Sequence, residues 1–353
     1  SVMHNNREAI RLYERLKFER INVFTVKNKN SFNEPLFIGT QPQEGLNPYA
    51  KIITREAQRR GIAVNVLDAE AGYFELSLGG RTITCRESLS ELTTSIAMSR
   101  CDDKSVTHRI FNKAKLRVPA QLEVGEPQEA DDFLAQYGAV VVKPARGEQG
   151  AGISVDVRDG EALHAAIEEA KTHCETVLLE EYVRGMDLRI IVIDGNIVAA
   201  ATRRPPRIKG TGRDTIRELI HKQSRRRQAA TGGESSIPID RETERCINEA
   251  GYQLDEVLPY SEDVTVRKTA NLHTGGTIHD VTAKLHPTLR QAAIDAAAAL
   301  DIPVTGLDFI VPDPKGEQYV IIEANERPGL ANHEPQPTAE RFSDLLFPST
   351  VGP

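Results

Sequence analysis

Gly306-Leu307-Asp308-Phe309-Ile310-Val311 and Tyr319-Val320-Ile321-Ile322-Glu323-Ala324-Asn325 are two apolar runs that carry oxygen-bearing side chains in their interiors. Both have the length and β-branched content of strands. The segment between them, Pro312-Asp313-Pro314-Lys315-Gly316-Glu317, is rich in turn formers and predicts an antiparallel hairpin. Side chains alternate faces along a strand, so Glu323 and Asn325 project to one side. With the hairpin centred near Lys315-Gly316, Asp308 falls opposite Glu323. Two directly opposed carboxylates repel one another unless a cation compensates them. Magnesium takes oxygen ligands, commonly one or two protein carboxylates, with phosphate and water completing its shell. Asp308, Glu323 and Asn325 are therefore candidate metal ligands. The competing reading gives each carboxylate its own arginine or lysine, for example Arg327.

The stretch VVVKPARGEQGAGISV, residues 140–155, carries the second signal. Lys143 ends an apolar strand and precedes a loop containing Gly147, Gln149, Gly150, Ala151 and Gly152. Glycines let backbone N–H groups approach phosphate oxygens and form an anion-binding nest. The loop joins strand to strand, which excludes a Walker loop and a dinucleotide fingerprint. Lys104 opens a helix after two aspartates and reads, on propensity alone, as an exposed first-turn lysine. Glu180-Glu181-Tyr182-Val183 ends a strand and leads to Asp187. A strand crossing between two units can offer backbone amides to an adenine, and Asp187 can accept ribose hydroxyls. Each signal has a bland alternative, namely a hairpin turn, a solvated lysine or an acidic linker. Their order along the chain makes the combination specific.

The rest of the chain reads as alternating helices and strands. Residues 6–18 have a helical apolar face (Ala9, Ile10, Leu12, Tyr13, Leu16), and residues 21–26 read as a strand. From 48 to 101 the pattern is helix, strand, a hairpin around Gly79-Gly80, and helix. Asp194-Gly195 between two apolar runs predicts another hairpin. Residues 203–260 form a polar, basic stretch with Arg225-Arg226-Arg227, read as a solvated basic helix end. A helix is expected at 287–300, and the proline-rich segment after Pro335 is expected to wrap the surface.

The 353 residues carry a net charge of −7, with 39% hydrophobic and 27% charged residues. This is an ordinary globular balance, and the acidic excess argues against a generic nucleic-acid surface. Trp is absent and aromatics are 5%, which leaves no stacking platform for single strands. No apolar run is long enough to span a membrane, and the first residues, Ser1-Val2-Met3-His4, do not read as a signal peptide. Cys85, Cys101, Cys174 and Cys246 lack metal or disulfide spacing and read as reduced thiols, which suits a cytoplasmic enzyme.

In order and content these motifs resemble the ATP-grasp superfamily over roughly residues 47–334. The chain is similar in particular to cyanophycin synthetases and glutathione-forming fusion enzymes, through VVVKPARGEQGAGISV, EEYVRGMDLRIIVIDG, NLHTGGTIHDVT and YVIIEANERPG. The resemblance implies an α/β (α+β) ATP-grasp fold with the nucleotide between two α+β subdomains. It implies ATP and two Mg2+ ions, with Mn2+ as an acceptable substitute. Lys104, Lys143 and the glycine loop would contact the phosphates, Glu180, Glu181, Tyr182 and Val183 the adenine, and Asp187 the ribose. Arg189, Arg203, Arg267, Asn271 and Arg327 would meet phosphate or a substrate carboxylate.

The helix NREAIRLYERLKF also resembles the last helix of GNAT acetyltransferases. A GNAT piece fused to an ATP-grasp ligase is the arrangement of the N-acetylglutaminylglutamine synthetase family, which makes an osmoprotectant dipeptide. Five segments follow as expectations: a GNAT remnant at 1–35, a small α/β domain at 36–103, a lid subdomain at 104–183, a metal-bearing subdomain at 184–345, and a tail at 346–353. The coenzyme A loop would precede residue 1, so acetyl transfer is not expected here. The expected activity is ATP-dependent carboxylate–amine ligation through an acyl phosphate. Substrates would be amino acids or N-acyl amino acids, with no nucleic-acid or membrane partner; a homo-oligomer is compatible with the sequence. The competing readings are another acceptor, as in a cyanophycin- or glutathione-like ligase, and an ATP-binding module that has lost catalysis.

Overall fold

The structure is a computed structural model that describes residues 7–18, 45–147, 151–231, 233 and 235–351. The strand expected at 21–26 lies outside the described residues, as do Gln149 and Gly150.

A five-stranded antiparallel sheet forms the centre, in the order Thr277–Asp280, Asn196–Arg204, Met186–Ile193, Val304–Val311, Val320–Asn325. One face carries Leu188, Ile190, Val192, Leu307, Phe309 and Val311. These pack under helices Lys104–Lys113 and Pro287–Leu300, through Phe111, Leu289, Ala293 and Ala296. The helix at Pro287–Leu300 has Pro at its first position and His286 as its N-cap, accepting from Thr288 N–H.

The opposite face changes character along the strands. In Met186–Ile193 its positions are Asp187, Arg189, Ile191 and Ile193. The last two, with Val304, Val198 and Ala199, are covered by Leu46, Ala50, Ile53, Phe74, Leu76 and Phe342. The first two stay ionic. A single face therefore supplies a core at one end and a charged site at the other.

The covering layer comes from both ends of the described chain. Helix Pro48–Arg59, capped by Asn47, stands beside a four-stranded sheet within residues 63–90. Gly79 and Gly80 both take positive φ (59° and 85°), the conformation that a two-residue hairpin turn requires. Helix Thr338–Leu346 completes the layer with fully buried Phe342 and Leu346. The expectation that the segment after Pro335 wraps the surface is thus overturned. No proline falls between Pro337 and Pro348, and the apolar residues there recur at helical spacing against Pro48–Arg59. Arg60 fastens the two helices, donating to Asp344 (2.6 Å) and to Glu340 O (2.9 Å). The segments expected at 36–103 and 184–345 accordingly share one core.

A second antiparallel sheet, in the order Gln121–Glu123, Val177–Glu181, Val140–Pro144, Ser154–Val157, packs against helices Pro127–Tyr137 and Gly160–Lys171. It has its own core, from Ala130 to Leu179. Helix Lys104–Lys113, expected to open this unit, instead belongs to the central sheet through Phe111. The basic stretch after Arg203 folds into a third cluster, with helices Ile216–Thr231 and Arg241–Glu249 and a two-stranded sheet. All four cysteines are free, and Cys85, Cys101 and Cys246 are buried. No helix among the described residues is long and apolar enough to cross a membrane.

Candidate active site

Asp308 pairs directly with Glu323 on one neighbouring strand and with Arg189 on the other. Arg189 in turn opposes Ala201, and Ala201 opposes Asp280. One row thus crosses all five strands: Glu323, Asp308, Arg189, Ala201, Asp280. Directly opposed residues share a face, so four charged groups stand on the ionic end of the sheet. Ala201 leaves room between them. A bulge follows Asp308, between it and Phe309, and ends the regular register beside the site.

Asp308 is the most enclosed charged residue of the row, with 11% side-chain exposure. Arg189 grips it with Nε and Nη2, the latter at 2.8 Å, and Arg203 Nη2 stands 3.0 Å away. Arg203 also holds Asp187 with two bonds, 2.8 and 3.0 Å. Burial pushes the Asp308 carboxyl up, but the two guanidiniums outweigh it and hold the group below the usual carboxylate range. At Asp187 burial prevails over Arg203, with the Asp308 charge adding to it, and the carboxyl sits above its usual value. Gly306 is required here: a Cβ would lie 2.9 Å from Pro328 Cβ and 3.0 Å from Arg189 Nη1.

Glu323 is different. It accepts one hydrogen bond, from Asn325 Nδ2 at 3.3 Å, and has no cationic partner among the described residues. A carboxylate facing another carboxylate without its own counter-ion suits a cation, and the amide beside it adds a third oxygen. No group of three or more His, Cys, Asp or Glu is placed to hold a metal among the described residues. The donor set is instead two carboxylates and an amide, which fits an ion that shares its shell with phosphate and water.

On the second sheet Lys143 is buried, with Nζ 2.7 Å from Glu180. That contact is an ion pair, and the buried ammonium makes no hydrogen bond. Glu180 compensates the buried charge, and a ligand oxygen would give the ammonium its hydrogen bonds. Lys104 is also buried, against expectation, and donates to Gly147 O at 2.9 Å. Gly147 has φ 142°, and a Cβ on Gly152 (φ 69°) would strike His173 at 2.5 Å, so both positions call for glycine. Ala151 follows the undescribed Gln149 and Gly150.

The N–H groups of Glu181 and Tyr182 donate to Ala120 O and Ala139 O within the fold. Glu180 is committed to Lys143 and Gln121. Of the residues expected at the adenine, the backbone beyond the strand end at Val183 is the part left open. Asp187, expected at the ribose, lies instead in the arginine cluster.

The remaining expected residues scatter. Arg267 is buried and bonded to Asp240, Thr243 and Glu242. Asn271 organises the turn before Gly275-Gly276, accepting from His273 N–H at 2.9 Å. Arg327 pairs with Glu87 at 3.4 Å, so it is Arg189 and Arg203 that neutralise Asp308. Arg225 and Arg226 are exposed, but Arg227 is half-buried and donates to Gly275 O (2.7 Å) and Gly276 O, correcting the reading of a wholly solvated basic end. His333, buried beside the cluster, was missed. A lone histidine in a loop gives no signal until the register of the sheet is known.

Residues 101–209 match the family model described as the RimK-like ATP-grasp domain. The chain is 32% identical over 320 residues to a cyanophycin synthetase of Trichormus variabilis, covering 86% of this chain and 35% of that protein. It is 28% identical over 356 residues to a bifunctional glutathione-biosynthesis protein of Clostridium perfringens, covering 96% and 45%. Among solved structures, a bifunctional glutathione synthetase from Pasteurella multocida superposes with TM-score 0.62 at 22% identity, covering 90% of this chain and 45% of that one. The chain therefore spans 35–45% of the length of these relatives. The likeness to a RimK-like ATP-grasp domain covers residues 101–209, and the chain has the ATP-grasp fold.

Proposed function

We propose that this chain is an ATP-dependent carboxylate–amine ligase that forms an amide through an acyl phosphate and releases ADP and phosphate. The observation that carries the reading is the opposed pair Asp308 and Glu323, with Asn325 beside them, in a chain that also buries Lys104 and Lys143. ATP lies between the two sheets. Lys143 and Lys104 meet its phosphates, and the glycine loop closes over them. Asp308, Glu323 and Asn325 would hold Mg2+ (two ions, with Mn2+ as a substitute), which when bound offsets phosphate charge. Arg189 and Arg203 orient the attacking substrate carboxylate toward the γ-phosphate. In-line transfer needs positioning and charge stabilisation, and no protein nucleophile. The attacking amine then displaces phosphate, and loop closure protects the acyl phosphate from water.

For the substrates we propose an N-acyl amino acid and an amino acid, with N-acetylglutamine and glutamine as the pair. Two features support this finer reading: the helix Arg7–Arg15, and the exposed apolar residues Leu12, Tyr13, Leu16 and Phe18 on it and just after it. A fused acetyltransferase would cover such residues. Four free cysteines support a cytoplasmic setting. The test is to incubate the protein with Mg2+, ATP and candidate amino acids, then identify products by mass. ADP release stimulated by glutamine plus N-acetylglutamine is expected. Release of AMP would overturn the acyl-phosphate route, and preference for aspartate, arginine or glycine would move the substrates to the cyanophycin- or glutathione-like class.

A further inference from the structure

Leu330–His333 is a short 3-10 helix in the layer that covers the central sheet. Leu330 is fully buried in the shared core. His333, at the other end, reaches the point where the covered face turns ionic. Its residue is only 6% exposed. Even so, no protein group hydrogen-bonds its ring among the described residues, and neither ring nitrogen is sealed from solvent. Solvent therefore reaches the ring edge, and the short helix packs against the strand that carries Arg203. The charged groups facing it come from four strands: Arg189, Arg203, Asp280 and Asp308. Asp280 is already engaged by Thr282 (2.6 Å) and Gln336 (3.1 Å), and Asp308 by the two arginines.

Resting on the ligase reading above, we propose that His333 is a substrate contact that donates a ring N–H to the carboxylate awaiting phosphorylation. Arg189 and Arg203 are held by Asp308 and Asp187 through Nε and Nη2, which leaves Nη1 of each as a further donor for an anion. A hydrogen bond from a neutral donor fixes the anion's orientation without adding a third charge. Burial, followed by Arg189 and Arg203, drives the imidazolium down to about 3, so the ring is neutral and has one donor and one acceptor. The sequence offers a volume for the ring but no internal partner, as expected of a group reserved for a ligand.

The experiment compares wild type with His333→Phe, which keeps the bulk and loses the donor, and with His333→Asn, which restores an N–H. Carboxylic-acid binding is measured by calorimetry with N-acetylglutamine and glutamine as probes, in Mg2+ and a non-hydrolysable ATP analogue. KM and kcat are measured in parallel. His333→Phe should weaken the carboxylate by about tenfold or more, the scale of a hydrogen bond to a charged group. Its nucleotide affinity and unfolding midpoint should stay near wild type, and His333→Asn should recover most of the loss. The proposal is overturned if His333→Phe binds the acid as wild type does, or if nucleotide affinity and stability fall together with it. The ligase reading fails separately, and takes this inference with it, if wild type neither binds nor turns over any acid.

Discussion

Replacing Asp308 by Asn and, separately, Glu323 by Gln removes one negative charge from each of two residues facing each other across a strand pair. The consequences should be opposite in the absence of nucleotide. Asp308 holds two buried guanidiniums, Arg189 and Arg203, with side-chain exposures of 15% and 16%. A single such pair at about 4 Å is worth roughly 4 kcal/mol at an effective dielectric near 20. Desolvation offsets much of that, and removing one partner of a buried pair costs about 3–5 kcal/mol. Asp187 still engages Arg203, so the lower end, about 3 kcal/mol, is expected for Asp308→Asn. Glu323 has no cation to lose. Its repulsion with Asp308, on the order of 3 kcal/mol at about 5 Å before screening by the arginines, is relieved by Glu323→Gln. That variant should be as stable as wild type or up to about 1 kcal/mol more stable. Urea unfolding without nucleotide reads both values, and repetition with Mg2+ and ATP should stabilise wild type and neither variant. Equal destabilisation by the two substitutions would refute the reasoning, because it would mean that Glu323 is itself ion-paired.

Three further outcomes follow from the same geometry. Lys143→Met should abolish nucleotide protection and also destabilise the protein by about 3 kcal/mol, since it strands the buried Glu180 carboxylate. Adding Glu180→Gln should restore the unfolding midpoint without restoring nucleotide binding, as thermal shift would show. Gly306→Ala should crowd Pro328 and the Arg189 guanidinium, costing about 1–3 kcal/mol and lowering ligase turnover more than the Kd for nucleotide. Glu56 is buried, which raises its carboxyl pKa, yet bonds from Arg59 and Arg60 outweigh that and hold it below the usual range. A carboxyl lowered on folding stabilises above its unfolded pKa, near 4.5, and loses that contribution as pH falls through the folded value. Glu56→Gln should thus cost about 1–3 kcal/mol at pH 7 and progressively less below about pH 4, measured by urea titration across pH.

Much of the frame was legible from residues alone. Period-two apolar runs and the Gly79-Gly80 and Asp194-Gly195 turns located the strands. The symmetry of the 306–325 hairpin about Lys315-Gly316 placed Asp308 opposite Glu323, and the ladder has that register. The helix Thr338–Leu346 was hidden by the prolines before it. The folded nature of residues 203–260 was hidden by their charge, because polar helices with sparse apolar positions carry little periodic signal.

What the sequence determined by itself is the set of strands, the hairpin register and the chemical identity of the donors, because turn chemistry and side-chain alternation are local properties. Which cation meets which anion was decided by tertiary structure. Asp308 could have met Arg327; instead the neighbouring strand brings Arg189 into register with it, and Arg203 arrives one strand further on. The burial of Lys104 and Lys143, the commitment of Glu180 and Asp187, and the open edge of His333 all depend on contacts between residues far apart in the chain. Electrostatic partners are chosen by distance in space and by the dielectric around them, and neither is written in any local stretch of residues.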